Sequence, residues 1–193
     1  MRRARRRRRR QRAVAAARLG GNVTLVAKVG NDIFGKQTID VIRKENIITD
    51  HVFVDEETPS GTALIMVNEE GENCIVVAPG ANARLLPADI DRVNNIADAA
   101  IILIQLEIPM KTIAAVAKMA KRNHQKLIIN PAPAQSLTDE LLNGLFLITP
   151  NETEASLLTG IKVDDAETAA NAADIFLNRG VQNIIITLGK QGA

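Results

Sequence analysis

From Gly80 to the end of the chain, segments with helical spacing and short apolar runs alternate without interruption, and this constrains the fold more than any other feature. Helices are expected over residues 87–96, 109–123, 138–143, 152–159 and 165–179, several opening on Pro, Thr or Asp, which suit a helix start. Between them, residues 100–105, 127–130, 146–149 and 184–187 are apolar runs of the kind a parallel sheet buries on both faces. Parallel strands need crossover connections, so the pattern predicts a doubly wound α/β core.

The first part of the chain reads differently. Residues 13–19 have helical composition and stop at Gly20 and Gly21, and residues 23–29 read as a buried strand. A loop over 30–35 leads to a helix over 36–44, where Ile39 and Ile42 share a face and Arg43 and Lys44 suit the C-terminal end of the dipole. A strand follows at 51–54 and a turn at 59–61. Residues 62–68 and 73–78, joined by Glu69, Glu70, Gly71 and Glu72, read as a β-hairpin inserted ahead of the α/β core. No internal repeat is evident. At the other end, residue 193 follows a strand and a glycine-containing loop with no returning helix, so the fold is expected to be incomplete there.

Charge separates the ends from the body. Nine of the 24 basic residues are arginines within the first 12 positions, and the remaining 15 stand against 22 acidic residues, a formal charge of −7. An acidic body with four Phe and no Tyr or Trp lacks the stacking platforms of single-strand binders, so nucleic acid is not an expected partner. The arginine run could neutralise phosphates, be a basic tail without a dedicated role, or come from a mistaken start or shifted frame; residues 1–12 are expected to be a disordered tail. No apolar stretch is long enough to span a bilayer and no secretory pattern follows the basic segment, so the cytoplasm is the expected location. The single Cys74 cannot form an internal disulfide, and with His51 and His124 scattered it makes no metal site.

Open α/β sheets bind ligands beyond the carboxyl ends of their strands. The residues at those positions are polar: Gln105 and Glu107 after the first run, Asn130 with Pro131, Ala132 and Pro133 after the second, Asn151 with Glu152 and Glu154 after the third, Gly189 and Gly192 after the fourth. Each also has a plainer reading. Residues 130–133 could be a rigid turn, and Asn151 could simply cap the helix starting at Glu152, where early glutamates suit the dipole.

Seven stretches taken in order are more specific. AVAAARLG (13–20), NEEGEN (68–73), GANA (80–83), QLE (105–107), NPAPA (130–134), TPNETEA (149–155) and TLGKQG (187–192) resemble the central portion of the ribokinase-like carbohydrate kinases, a family that includes fructokinase and adenosine kinase. The resemblance covers residues 13–193, as a partial kinase domain that includes the hairpin over 62–78. TPNETEA marks the wider family, while NPAPA, GEN and GAN lean toward its ribokinase branch.

The resemblance implies an incomplete ribokinase-like α/β fold with a small β lid, and an ATP-dependent phosphotransferase that converts D-ribose to ribose 5-phosphate. Deoxyribose or fructose is the alternative substrate, and a non-catalytic fragment with a nucleic-acid-binding arginine tail the alternative function. Glu107 matches a residue that hydrogen-bonds sugar hydroxyls. Asn151 and Glu154 match a pair that organises the nucleotide phosphates and Mg2+, with Glu154 on the metal side. Thr187, Leu188, Gly189, Lys190, Gln191 and Gly192 match a loop along ATP. The resemblance leaves room for a monovalent cation in complete members, and the lid can also form a homodimer contact.

Two departures stand out. Where the family carries GGKGANQ, residues 6–12 hold six arginines and Gln11, which favours the start-or-frame reading of the tail. The family's glycine-rich motif with the catalytic Asp lies beyond residue 193, so no catalytic residue is assigned and this chain alone is expected to be inactive.

Overall fold

The computed structural model describes residues 8–67 and 73–193. The first seven residues, Asn68 and the connection of the hairpin lie outside the described residues. The chain divides into two compact units, Met1–Val93 and Asn94–Ala193.

The first unit opens with helix α1, Arg8–Arg18. It starts five residues earlier than the sequence pattern suggests and takes in part of the expected tail, as arginine and glutamine are good helix formers. Strand β1 (Ala27–Gly30) pairs in parallel with β2 (Val52–Asp55). A bridge from Thr24 to Ile48 extends the pairing toward residue 23. Between the strands runs α2, Ile33–Arg43, which starts earlier than the apolar spacing implies because Asp32 caps it, accepting from Gly35 N–H at 2.7 Å. Ile42 is buried and Arg43 sits in the last turn.

Asp32 has a second task. Its carboxylate also accepts from Ser60 N–H at 2.7 Å and from the Ser60 hydroxyl at 2.8 Å, while Ser60 Oγ accepts from Gly30 N–H at 3.0 Å. Burial pushes the Asp32 carboxyl up, but the hydrogen bonds from Ser60, Gly35 and Phe34 outweigh it and hold the pKa below the usual carboxylate value. These bonds fix the root of the antiparallel hairpin β3 (Thr62–Val67) and β4 (Asn73–Ala78), which pair from Thr62 with Ala78 to Val67 with Asn73, as the sequence indicates. The outgoing leg is tied down too, because Ala81 N–H donates to Pro59 O at 2.9 Å. Helix α3, Pro87–Ile90, follows; Asp89 in it pairs with Lys28 at 2.9 Å, with both side chains largely buried. The expected helix over 87–96 is cut short at Ile90, and Asn95, with a left-handed φ of 58°, leads into a single 3-10 turn over Ile96–Asp98.

The second unit is a three-stranded parallel sheet in the order β5 (Ile101–Gln105), β6 (Lys126–Asn130), β7 (Leu147–Ile148). Residues 184–187 add a fourth segment through parallel bridges, Ile148 to Ile184 and Asn151 to Thr187, rather than a continuous strand. Helix α4 (Met110–Arg122) buries Thr112, Ile113, Val116 and Ala120, a single stripe at helical spacing. The short α5 (Asp139–Leu142) is capped by Thr138, α6 spans Glu152–Thr159, and α7 (Ala166–Asn178) is capped by Asp165. Ala155, Val163, Ala169, Ala172 and Ile186 form a core cluster between α6, α7 and the fourth segment. Burial of the strands on both faces fails at β5: Ile101 and Leu103, which share a face, are 54% and 47% exposed, and β5 ends the strand order of this sheet. No helix among the described residues is long and apolar enough to cross a membrane.

Candidate functional site

Parallel pairing fixes where the polar residues emerge. Gln105 pairs with Asn130 at the carboxyl ends of β5 and β6, and Thr149 N–H donates to Ile129 O at 3.0 Å beyond the end of β7. Glu107, the loop after Asn130, Asn151 and Thr187 therefore leave the sheet at the same edge. In strand order Glu107 and Asn151 follow strands two apart, roughly 10 Å of sheet width.

Asn151 and Glu154 are brought together tightly. The Asn151 side chain accepts from Glu154 N–H at 2.7 Å, and the Glu154 carboxylate accepts from Asn151 N–H at 3.0 Å, a reciprocal capping box at the start of α6. The capping role foreseen for Asn151 is thus present, and Glu154 shares it. Glu154 is buried and Asn151 partly exposed. The start of an eight-residue helix, the positive end of its dipole, faces the edge where the other polar residues emerge.

Thr187 joins Asn151 directly. The two are bridged in parallel, with Thr187 N–H donating to Pro150 O at 3.0 Å. Leu188 N–H closes onto Gly192 O at 2.7 Å, and Gly189–Gln191 form one 3-10 turn. Thr187, Gly189, Lys190, Gln191 and Gly192 are exposed, Leu188 partly so. Gly189 and Gly192 have positive φ values of 54° and 94°, and a Cβ built on Gly192 would meet nothing within 4 Å. The loop is folded on itself but open on its outer side.

Glu107 is partly buried, immediately after buried Gln105 and Leu106. The loop 130–135 backs it. Leu106 N–H donates to Ala132 O at 3.1 Å, and Gln135 Nε2 donates to Leu106 O at 2.6 Å. Asn130 Nδ2 donates to Thr149 O at 2.6 Å, so the rigid-turn reading of residues 130–133 describes part of their work. Gln135 carries no sequence signal of its own, because a hydrogen bond across 29 positions leaves no local pattern.

Known proteins place the chain. Residues 12–193 match the family described as pfkB family carbohydrate kinase. The chain is similar to ribokinase from Haemophilus influenzae, 42% identical over 93% of this chain and 59% of that protein. It is also similar to ribokinase from Staphylococcus aureus, 38% identical over 93% of this chain and 60% of that protein. Among solved structures, Arabidopsis thaliana ribokinase complexed with ribose and ATP matches with a TM-score of 0.84 and 28% identity, covering 92% of this chain and 58% of that one. The chain spans about three-fifths of the length of these relatives.

Proposed function

We propose, since this chain belongs to the pfkB family of carbohydrate kinases, that it carries sugar- and nucleotide-binding residues of an ATP-dependent kinase for the primary hydroxyl of D-ribose. The observation that carries this reading is the joining of Asn151, Glu154 and Thr187 across one parallel bridge and one capping box. Two sequence stretches 36 residues apart thereby meet at a helix start, a setting suited to phosphate groups.

In this reading Glu107 accepts hydrogen bonds from the sugar hydroxyls, a charged acceptor giving stronger bonds than a neutral one. Asn151 and the open loop over Thr187, Leu188, Gly189, Lys190, Gln191 and Gly192 lie along ATP, with Gly192 allowing close approach. Among the described residues no three His, Cys, Asp or Glu side chains gather as a metal-binding group. In this reading Mg2+ would be held mainly by phosphate oxygens and water, with the Glu154 carboxylate orienting that shell. The metal would neutralise charge on the transferred group, and the protein's part is positioning and electrostatics. Ribose leads deoxyribose as the proposed sugar because the two relatives described are ribokinases. A homodimer through the hairpin is supported by exposed Met66 and Val76, which share one of its faces.

The test is calorimetric titration of ribose and of Mg·ATP into the chain. Glu107→Ala is expected to weaken ribose about tenfold or more while leaving Mg·ATP unchanged, and Asn151→Ala to do the reverse. Ribose-dependent ADP release, with Glu107→Ala as control, reads phosphoryl transfer. Failure of the chain to bind either ligand would sink the proposal.

A further inference from the structure

The peptide unit that enters Glu107 is held from outside its own strand. Leu106 is 2% exposed, and its N–H and carbonyl are both engaged by the loop after β6, through Ala132 O at 3.1 Å and Gln135 Nε2 at 2.6 Å. The Leu106 carbonyl and the Glu107 nitrogen belong to one planar unit. A bond that fixes this carbonyl therefore fixes the plane from which the Glu107 side chain departs.

The same loop is anchored at its other end. Ala132 N–H donates to Asn130 O at 2.8 Å, and Asn130 Nδ2 donates to Thr149 O at 2.6 Å, two residues before Asn151. A continuous hydrogen-bonded path thus runs from the approach to Glu107, through residues 130–135, to the approach to α6. Every donor and acceptor along it lies in the second unit. Gln135 is partly buried, and its donor reaches the one carbonyl that aims Glu107.

We infer that Gln135 is a positioning residue for Glu107: by holding the Leu106 carbonyl against the loop braced on Thr149, it sets where the sugar-binding carboxylate stands relative to the nucleotide-binding helix start. The inference rests on the kinase reading above. A binding carboxylate has to be held to within about 0.5 Å of its productive place, and one mobile peptide plane is enough to lose that. Gln135 touches no ligand in this account and acts through Glu107.

The experiment is a double-mutant cycle read by ribose titration of the 193-residue chain, with Mg·ATP titrated in parallel. Gln135→Met keeps the length of the side chain and removes the donor; Gln135→Glu keeps the shape and loses the donor when ionised; Gln135→Arg restores N–H donors. Both donor-deleted variants are expected to weaken ribose about five- to tenfold with Mg·ATP affinity unchanged, and the Arg variant to recover most of the loss. In a Glu107→Ala background the Gln135 substitutions are expected to cost nothing more, which a merely structural role would not give. An equal loss of ribose affinity in both backgrounds, or no loss in either, overturns the inference and leaves the kinase reading standing. An unsubstituted chain that binds Mg·ATP but not ribose overturns the sugar-binding reading and this inference with it.

Discussion

Gly30 and Gly80 at the root of the hairpin, and Gly189 and Gly192 in the loop after Thr187, share a residue type, yet their surroundings are opposite. A Cβ on Gly30 would lie 2.5 Å from Ser60 N and 2.6 Å from Thr58 O, and one on Gly80 would lie 2.4 Å from Pro59 O. On Gly192 it would meet nothing within 4 Å, and on Gly189 only the Glu152 carboxylate at 3.3 Å. The first pair lets backbone close onto backbone and locks the hairpin root. The second pair leaves room beside the backbone, which the proposed nucleotide loop would need. Glycine is the common solution to two problems, and what stands next to the absent Cβ tells them apart.

The sharpest way to break the comparison is Gly30→Ala. Its φ is not in the left-handed region, so the whole cost is steric, against backbone atoms that cannot swing away. A loss of about 3 kcal/mol of stability is expected, read by urea unfolding. A loss below about 1 kcal/mol would show that the root yields and that the contrast with the open loop is overstated.

Asp32→Ala attacks the same root through its polar side and should cost about 2 kcal/mol at pH 7, from a lost helix cap and lost bonds to Ser60. It also carries a pH dependence. The folded pKa of Asp32 lies below its unfolded value, so its contribution is fully present above about pH 4 and is lost as the pH falls through the folded pKa. The gap between the urea midpoints of the original chain and Asp32→Ala should therefore hold above about pH 4 and narrow as the pH falls below it. A gap that widens on acidification would contradict the hydrogen-bonded root.

These two regions also mark what the sequence could reveal. Helix α6 falls where the capping pattern of Asn151 and Glu154 puts it, and α4 and α7 agree within a residue at each end, because caps and apolar stripes are local signals. Residues 91–95 do not continue α3, and the left-handed Asn95 ahead of the 3-10 turn at Ile96–Asp98 is a choice that spacing alone does not announce. Residues 184–187 pair only at two bridges, since a strand is defined by its neighbour as much as by its own apolar run. Of the site, Glu107, Asn151, Glu154 and the loop from Thr187 were legible as polar residues following apolar runs. The bonds from Asp32 to Ser60 and from Gln135 to Leu106 were not, because each spans almost thirty positions.

Gly189→Ala tests the open side of the comparison. With φ at 54° and only a flexible carboxylate nearby, the substitution should cost about 1 kcal/mol of stability, the ordinary penalty for a side chain in the left-handed region. Its Cβ would project into the space assigned to the nucleotide, so Mg·ATP affinity should fall severalfold while ribose affinity holds. A stability loss as large as that of Gly30→Ala would mean that the loop is packed after all.

The smallest stability effect is expected at Lys190, and it isolates the ligand contribution from the fold. The side chain is exposed, and no hydrogen bond or ion pair involves it among the described residues. Lys190→Ala should change stability by less than about 0.5 kcal/mol. If the loop lies along a polyphosphate, the same substitution removes a cation from its edge, and Mg·ATP affinity should fall a few-fold in low salt and less at high salt, where exposed charges are screened. A Lys190→Ala chain whose Mg·ATP affinity and salt dependence are both unchanged would place the phosphates away from this loop. The open glycines would then be surface turns, and the contrast with the hairpin root would be one of packing alone.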